Sequence, residues 1–163
     1  MHKVLNGAAT YPKIEPFDNE DKLIAHTKAR LALAAAAGAS LPSVMVMGAL
    51  GRCGTGACDF AVASGIDSYY FANHRSKIVR WDMEQTRNGG PFPEIMQNDI
   101  FVNCIYLSQP IPPFVSAAML NDEKRALSVI CDVACDPTNP HNPLPFYSNI
   151  TTFDEPLLNV PVT

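Results

Sequence analysis

Ser43-Val44-Met45-Val46-Met47-Gly48-Ala49-Leu50-Gly51-Arg52-Cys53-Gly54-Thr55-Gly56 carries most of the architectural information in this chain. Its first five residues form a nearly continuous apolar run between Pro42 and Gly48, the pattern of a parallel strand covered on both faces. Four glycines follow. Thr55 to Ser64 then places Ala57, Phe60, Ala61 and Ala63 ahead of Gly65, which predicts a helix of about three turns. In a strand, glycine turn and helix, the free N–H groups and dipole of the helix start favour an anion. Glycine is needed because a Cβ would hold the backbone away from a pyrophosphate and the helix away from the strand. Gly48, Gly51 and Arg52 are therefore candidate cofactor-binding residues. The spacing is Gly-x-x-Gly-x-x-Gly, not the commoner Gly-x-Gly-x-x-Gly, and a tight turn without a ligand is the alternative. Arg52 reads either as a cover for the pyrophosphate or as a solvated surface arginine.

A dinucleotide site also places a carboxylate at the end of the second strand, where it accepts hydrogen bonds from the ribose hydroxyls. Lys77 to Asp82 is strand-like, and Asp82 takes that place about 28 residues beyond Gly54. The excess over the usual ~20 residues is assigned to a loop through Tyr69, Tyr70 and Phe71, between Asp67 and Ser76. A carboxylate there repels a 2′-phosphate, so NAD is favoured over NADP, although Arg80 and Arg87 are near in sequence. An ordinary exposed strand end is the alternative for Asp82.

Upstream, residues 1–18 contain Pro12 and Pro16 and read as a linker or lead-in. Asp18-Asn19-Glu20-Asp21 signals a helix start; Leu23, Ile24, Thr27, Leu31 and Ala35 give it an apolar face, and Gly38 stops it. Downstream, Asp99 to Tyr106 and Ser128 to Val133 are buried strand candidates, and Ser116 to Leu127 has a helical stripe that Asn121-Asp122 threatens to break. Tyr147 to Phe153 is a candidate last strand. Strands alternating with helices predict an α/β domain around a doubly wound parallel sheet, a Rossmann-like fold over residues 19–163.

The chain has 163 residues, 47% of them hydrophobic, enough for a core in one domain. With 12 Lys plus Arg against 16 Asp plus Glu it offers no basic surface for nucleic acid or an anionic membrane. No apolar run approaches the ~20 residues of a membrane span, and no signal-peptide core follows Met1. A cytoplasmic protein is expected. Five cysteines without a Cys-x-x-Cys pair read as free thiols. Cys53, at a helix start, is either reactive or a small residue packed under the cofactor. Cys131, Cys135, Asp136 and His141 match no usual zinc spacing, so no metal is expected. His26, His74 and His141 pair with no evident acid, and no catalytic residue is assigned. Asn149-Ile150-Thr151 has the form of a glycosylation sequon and reads as a chance match.

Tyr106 and the stretch Val133 to Asp136 should lie at carboxyl ends of strands, on the rim where open α/β sheets bind ligands. Asp136-Pro137-Thr138-Asn139-Pro140-His141-Asn142-Pro143 then reads as a stiff polar loop on the substrate side, or as a proline-braced connection.

Several ordered blocks, Gly48 to Ala57, Trp81-Asp82, Gly89-Gly90-Pro91-Phe92, Asp99 to Ser108 and Thr138 to Pro143, together resemble the fungal-type, NAD-dependent, lysine-forming saccharopine dehydrogenases. The likeness runs from about Tyr11 to the end. It implies oxidative cleavage of saccharopine to lysine and 2-oxoglutarate in lysine biosynthesis, with NAD as hydride acceptor. It also implies that Gly51 and Arg52 contact the cofactor phosphates, Asp82 the ribose, and Thr86, Tyr106 and Val133 other parts of NAD. Ala134, Cys135 and Asp136 match a substrate-contacting segment; Ala134 stands where the fungal pattern has serine. The loop from Tyr69 to Ser76 is longer than the family's. The resemblance further implies an amino-terminal domain, absent here, that supplies the acid–base lysine and histidine. The chain is expected to be cut short at its carboxyl end too, before an Asp-His-Leu cofactor segment. A non-catalytic NAD-binding or interaction module, and an alanine-dehydrogenase-type enzyme, are the competing readings; the Thr138 to Pro143 block argues against the latter.

Overall fold

The structure, a computed structural model, describes residues 13–66 and 78–160. The loop from Tyr69 to Ser76, with His74, and residue Lys77 lie outside the described residues, as does most of the lead-in. Residues 13–18 have no regular helix or strand.

Helix α1 (Glu20–Ala36) begins where the acidic cluster predicts: the Asn19 side chain accepts the Lys22 N–H at 3.0 Å, and Glu20 and Asp21 complement the dipole. Gly38 closes it at φ 85°. Leu23, Ile24, Thr27, Leu31 and Ala34 are half-buried, whereas Ala35, assigned to the same face, is exposed.

Strand β1 (Val44–Met47) is buried throughout because it pairs in parallel with β2 (Ile78–Trp81) on one side and β3 (Ile100–Asn103) on the other. Strand β4 (Val129–Asp132) joins the outer edge of β3, giving an all-parallel order β2-β1-β3-β4. Side chains alternate across the sheet. Val44 and Val46 pack with Cys58, Ala61, Ile66 and Val102 under helix α2 (Arg52–Ala63). Met45 and Met47 pack on the other face with Phe92, Ile95, Phe101, Phe114 and Leu144. One strand therefore feeds two cores, which is why its sequence is apolar without alternation, and the fold is Rossmann-like.

Several boundaries differ from the expectations, each for a local reason. Helix α2 starts three residues before Thr55, so Gly54 also lies inside it. Strand β3 stops at Asn103, not Tyr106, because the Asn103 side-chain oxygen accepts the Ile105 N–H at 3.1 Å and turns the chain. Strand β4 is a half-exposed edge with Cys131 exposed, not a buried strand. The helix expected over Ser116 to Leu127 is one turn, α4 (Ala117–Leu120). Beyond it Asp122 accepts the Lys124 N–H, and the Arg125 guanidinium takes the carbonyls of Leu120 and Leu127. The segment Tyr147 to Phe153 forms no strand. A one-turn helix, α3 (Met83–Thr86), and a 3-10 helix (Pro93–Gln97) connect β2 to β3. No helix among the described residues is long and apolar enough to cross a membrane.

Gly54 is the tightest point. A Cβ there would stand 2.0 Å from the Gly48 carbonyl oxygen, whereas a Cβ on Gly56 would meet nothing within 4 Å. Gly54→Ala is expected to destabilise the chain by about 2 kcal/mol or more through overpacking, while Gly56→Ala gains up to ~1 kcal/mol of helix propensity. Urea unfolding of the two variants checks this opposition of sign.

Candidate functional site

The candidate site lies along the carboxyl edge of the sheet, where each strand hands over to a loop. Gly48 turns the chain out of β1 at φ 81°, a left-handed conformation that favours glycine. The Gly48 and Ala49 N–H groups donate to the Trp81 carbonyl at 2.9 and 3.0 Å, tying the turn to the end of β2. Gly51 caps α2 without any side-chain hydrogen bond, so the first turn of a 12-residue helix presents its N–H groups outward beside exposed Arg52. Cys53 sits exposed in that same turn.

Asp82 stands directly across. One carboxylate oxygen accepts the Leu50 N–H at 2.8 Å and the other the Met83 N–H at 2.8 Å, while its own N–H donates to Gln85 Oε1 at 2.9 Å. The acid thus caps α3 and locks the glycine turn to β2 at once. The Asp82-x-x-Gln85 spacing is a capping box, in which the Asp82 side chain also accepts the Gln85 N–H. Thr86 is buried, and its hydroxyl donates to the Asp82 carbonyl at 3.1 Å; it braces the acid from below.

Four large apolar side chains stand in solvent along this edge, one beyond each strand: Leu50 at 82% exposure, Met83 at 75%, Tyr106 at 62% and Val133 at 46%. Such side chains at the crevice of an open sheet supply an apolar platform for flat ring systems. Leu50 and Met83 carried no sequence signal, since exposure of a single apolar residue in a loop is invisible in a pattern.

At the β3–β4 end Asn103 is fully buried. Its side chain donates to Asp132 Oδ1 at 2.9 Å, and its carbonyl accepts the N–H groups of Val133 and Ala134 at 2.9 and 3.3 Å. Tyr147 donates its hydroxyl to the other Asp132 oxygen; burial and that carboxylate push the phenol well above its ordinary range. The expected substrate-side residues follow: Ala134 half-buried, Cys135 exposed, and Asp136, whose carboxyl is held below its usual range by hydrogen bonds from the Thr138 hydroxyl and N–H. A cavity of about 10 Å³ lies among Asn103, Tyr106, Asp132, Ala134 and Asn139. Thr138 to Pro143 is a polar loop whose Asn139 donates to the Leu107 carbonyl at 3.0 Å. The structure thus brings Gly48, Gly51, Arg52 and Asp82 together, and sets Tyr106 and Val133 to Asp136 at the other end of the same edge. His26 lies beside Phe17, on the segment leading into α1. Among the described residues no group of three or more His, Cys, Asp or Glu side chains is arranged to hold a metal ion.

These features define a Rossmann-like α/β domain with a glycine turn and a facing acid. No family model matches the chain. It is similar to the saccharopine dehydrogenase [NAD(+), L-lysine-forming] of Yarrowia lipolytica, 52% identical over 93% of this chain and 39% of that protein. The enzymes of the same name from Schizosaccharomyces pombe and Candida albicans are 49% and 47% identical over 98% and 91% of this chain. The chain is therefore related by sequence to the NAD-dependent, L-lysine-forming saccharopine dehydrogenases, and it spans about two fifths of the length of these curated relatives.

Burial, with smaller contributions from neighbouring thiols and Asp132, pushes the Cys104 thiol up to about 11. Because the thiolate is the nucleophile, alkylation of Cys104 in the folded chain should be slow at pH 8. Its rate should rise about tenfold per pH unit and keep rising past pH 9, where an ordinary thiol levels off. Peptide mass spectrometry after timed iodoacetamide pulses reads this out.

Proposed function

We propose that residues 19–163 are the NAD-binding domain of an L-lysine-forming saccharopine dehydrogenase, preceded by a lead-in over residues 1–18. The observation that carries this reading is the Asp82 carboxylate, hydrogen-bonded to Leu50 N–H and so fixed over the glycine turn at the open start of α2. The carboxylate already accepts the backbone N–H groups of Leu50, Met83 and Gln85 and keeps acceptor capacity for a ribose hydroxyl. The residues present fit a dinucleotide: outward N–H groups and Arg52 for the pyrophosphate, Asp82 for the adenosine ribose, and apolar side chains at both ends for the two rings.

When bound, NAD supplies the hydride acceptor for oxidation of a carbon–nitrogen bond. The resulting imine adds water and separates into lysine and 2-oxoglutarate. This chain's residues bind and orient. Arg52 and the uncapped N–H groups at the start of α2 hold the phosphates, Gly48 and Gly51 let them approach the backbone, Asp82 holds the ribose and disfavours a 2′-phosphate, and Thr86 keeps Asp82 in place. Tyr106 and Val133 flank the nicotinamide end. Ala134, Cys135 and Asp136 face the substrate, saccharopine in one direction or lysine and 2-oxoglutarate in the other. The acid–base groups belong to an amino-terminal domain outside these 163 residues, as the greater length of the relatives supports. The setting is cytoplasmic, in keeping with five free thiols.

Calorimetric titration tests the reading. The chain should bind NADH more tightly than NADPH; Asp82→Ala should weaken NADH binding about tenfold, in line with loss of charge-assisted hydrogen bonds. Asp82→Asn should relax the discrimination against NADPH. Absence of heat from NADH in a folded sample would contradict the proposal.

A further inference from the structure

The sheet order β2-β1-β3-β4 places the point where the chain reverses direction across the sheet between β1 and β3. A ligand lying across that point has one half over the β2 side, against Asp82 and Met83. Its other half lies over the β3–β4 side, against Tyr106 and Val133. The β2 side is organised by Asp82. The β3–β4 side has a different organiser.

Asn103 is the last residue of β3 and is fully buried. Its side-chain oxygen accepts Ile105 N–H at 3.1 Å, which turns the chain toward Tyr106. Its side-chain nitrogen donates to Asp132 Oδ1 at 2.9 Å, and its backbone carbonyl takes the Val133 and Ala134 N–H groups. One buried amide therefore sets both loops that carry the exposed rings and methyls of this half-site. Asp132 is held on its second oxygen by the Tyr147 hydroxyl, so the network extends to the Pro-rich return segment. A buried amide amid an otherwise apolar strand is costly unless every partner is in place. Such a residue is better suited to fixing a geometry than to adding stability.

We infer that Asn103 is the positioning residue for the half of the dinucleotide that lies beyond the pyrophosphate, acting through the paired loops after β3 and β4 and not through contact with the ligand. This rests on the dinucleotide reading above. The consequence is a separation of the two half-sites: Asn103 governs how much tighter NADH binds than ADP, which occupies only the β2 side.

The test is the ratio of NADH to ADP affinity in the 163-residue chain and in Asn103→Ala, by calorimetry, with resonance energy transfer from the single tryptophan, Trp81, to NADH as a second readout. The wild-type chain should bind both and prefer NADH. In Asn103→Ala ADP affinity should be retained within about twofold while the NADH advantage falls about fivefold or more, the size expected for losing one or two buried hydrogen bonds. Tyr147→Phe, which removes only the hydroxyl held by Asp132, should shift the ratio in the same direction by a smaller factor, and it decides the matter if the alanine variant does not fold. A ratio unchanged in the folded variants, or NADH and ADP affinities falling in parallel, overturns the assignment. Failure of the wild-type chain to bind either ligand overturns the dinucleotide reading on which it rests.

Discussion

Helix α2 lies so close to the end of β1 that a Cβ at Gly54 would collide with the Gly48 carbonyl. The first turn of the helix lies on the Gly48 carbonyl, and only the missing Cβ of Gly54 permits it. That contact fixes the direction in which the helix start points. It also brings the β1–α2 turn within hydrogen-bond reach of β2, so that Gly48, Ala49 and Leu50 all donate to Trp81 or Asp82. A helix start carries roughly half a positive charge; here it is aimed along the sheet edge, next to an acid that cannot swing away. The phosphate side and the ribose side of the candidate site are consequences of a single close approach.

The sheet makes this possible by being buried on both faces. Because β1 sends Val44 and Val46 to one core and Met45 and Met47 to the other, it has little freedom to slip, since a one-residue shift would exchange the two sets. The glycine turn that follows inherits that register. At the other end, β4 is an edge with Cys131 exposed, held by its backbone pairing with β3 and by the Asn103–Asp132 side-chain hydrogen bond at its end. The glycine turn is thus fixed by packing under α2 and hydrogen bonds to β2, and the far half adds a buried polar network at the ends of β3 and β4.

This difference explains what could be read from the sequence. The apolar run Val44 to Met47, the glycines and Asp82 announced the β1–α2–β2 unit because packing and backbone approach leave composition signals. The parallel α/β architecture followed from the same alternation. The end of β4 followed to within one residue, whereas the end of β3 did not, because Asn103 turns the chain there through a particular hydrogen bond that no periodicity encodes. The same holds for the one-turn α4: its apolar stripe predicted a longer helix, yet Arg125 takes the Leu120 carbonyl that a continuing helix would use. The start of α2 at Arg52, three residues before the expected Thr55, places Gly54 in its first turn, where the close approach to Gly48 requires a glycine. In the site, Asp82 was legible from its place after a strand, whereas Leu50, Met83 and Asn103 became visible only when the four strand ends were brought to one edge.

The most direct measurement of the central claim is a nitrogen-15 amide NMR titration of the 163-residue chain with NADH. The account predicts that the shifted amides are those of Leu50 to Gly54, Met83, the residues around Tyr106 and the turn at Val133 and Ala134, with the opposite edge of the sheet undisturbed. Shifts confined to that opposite edge, or saturation without any change at Leu50 to Gly54, would contradict it.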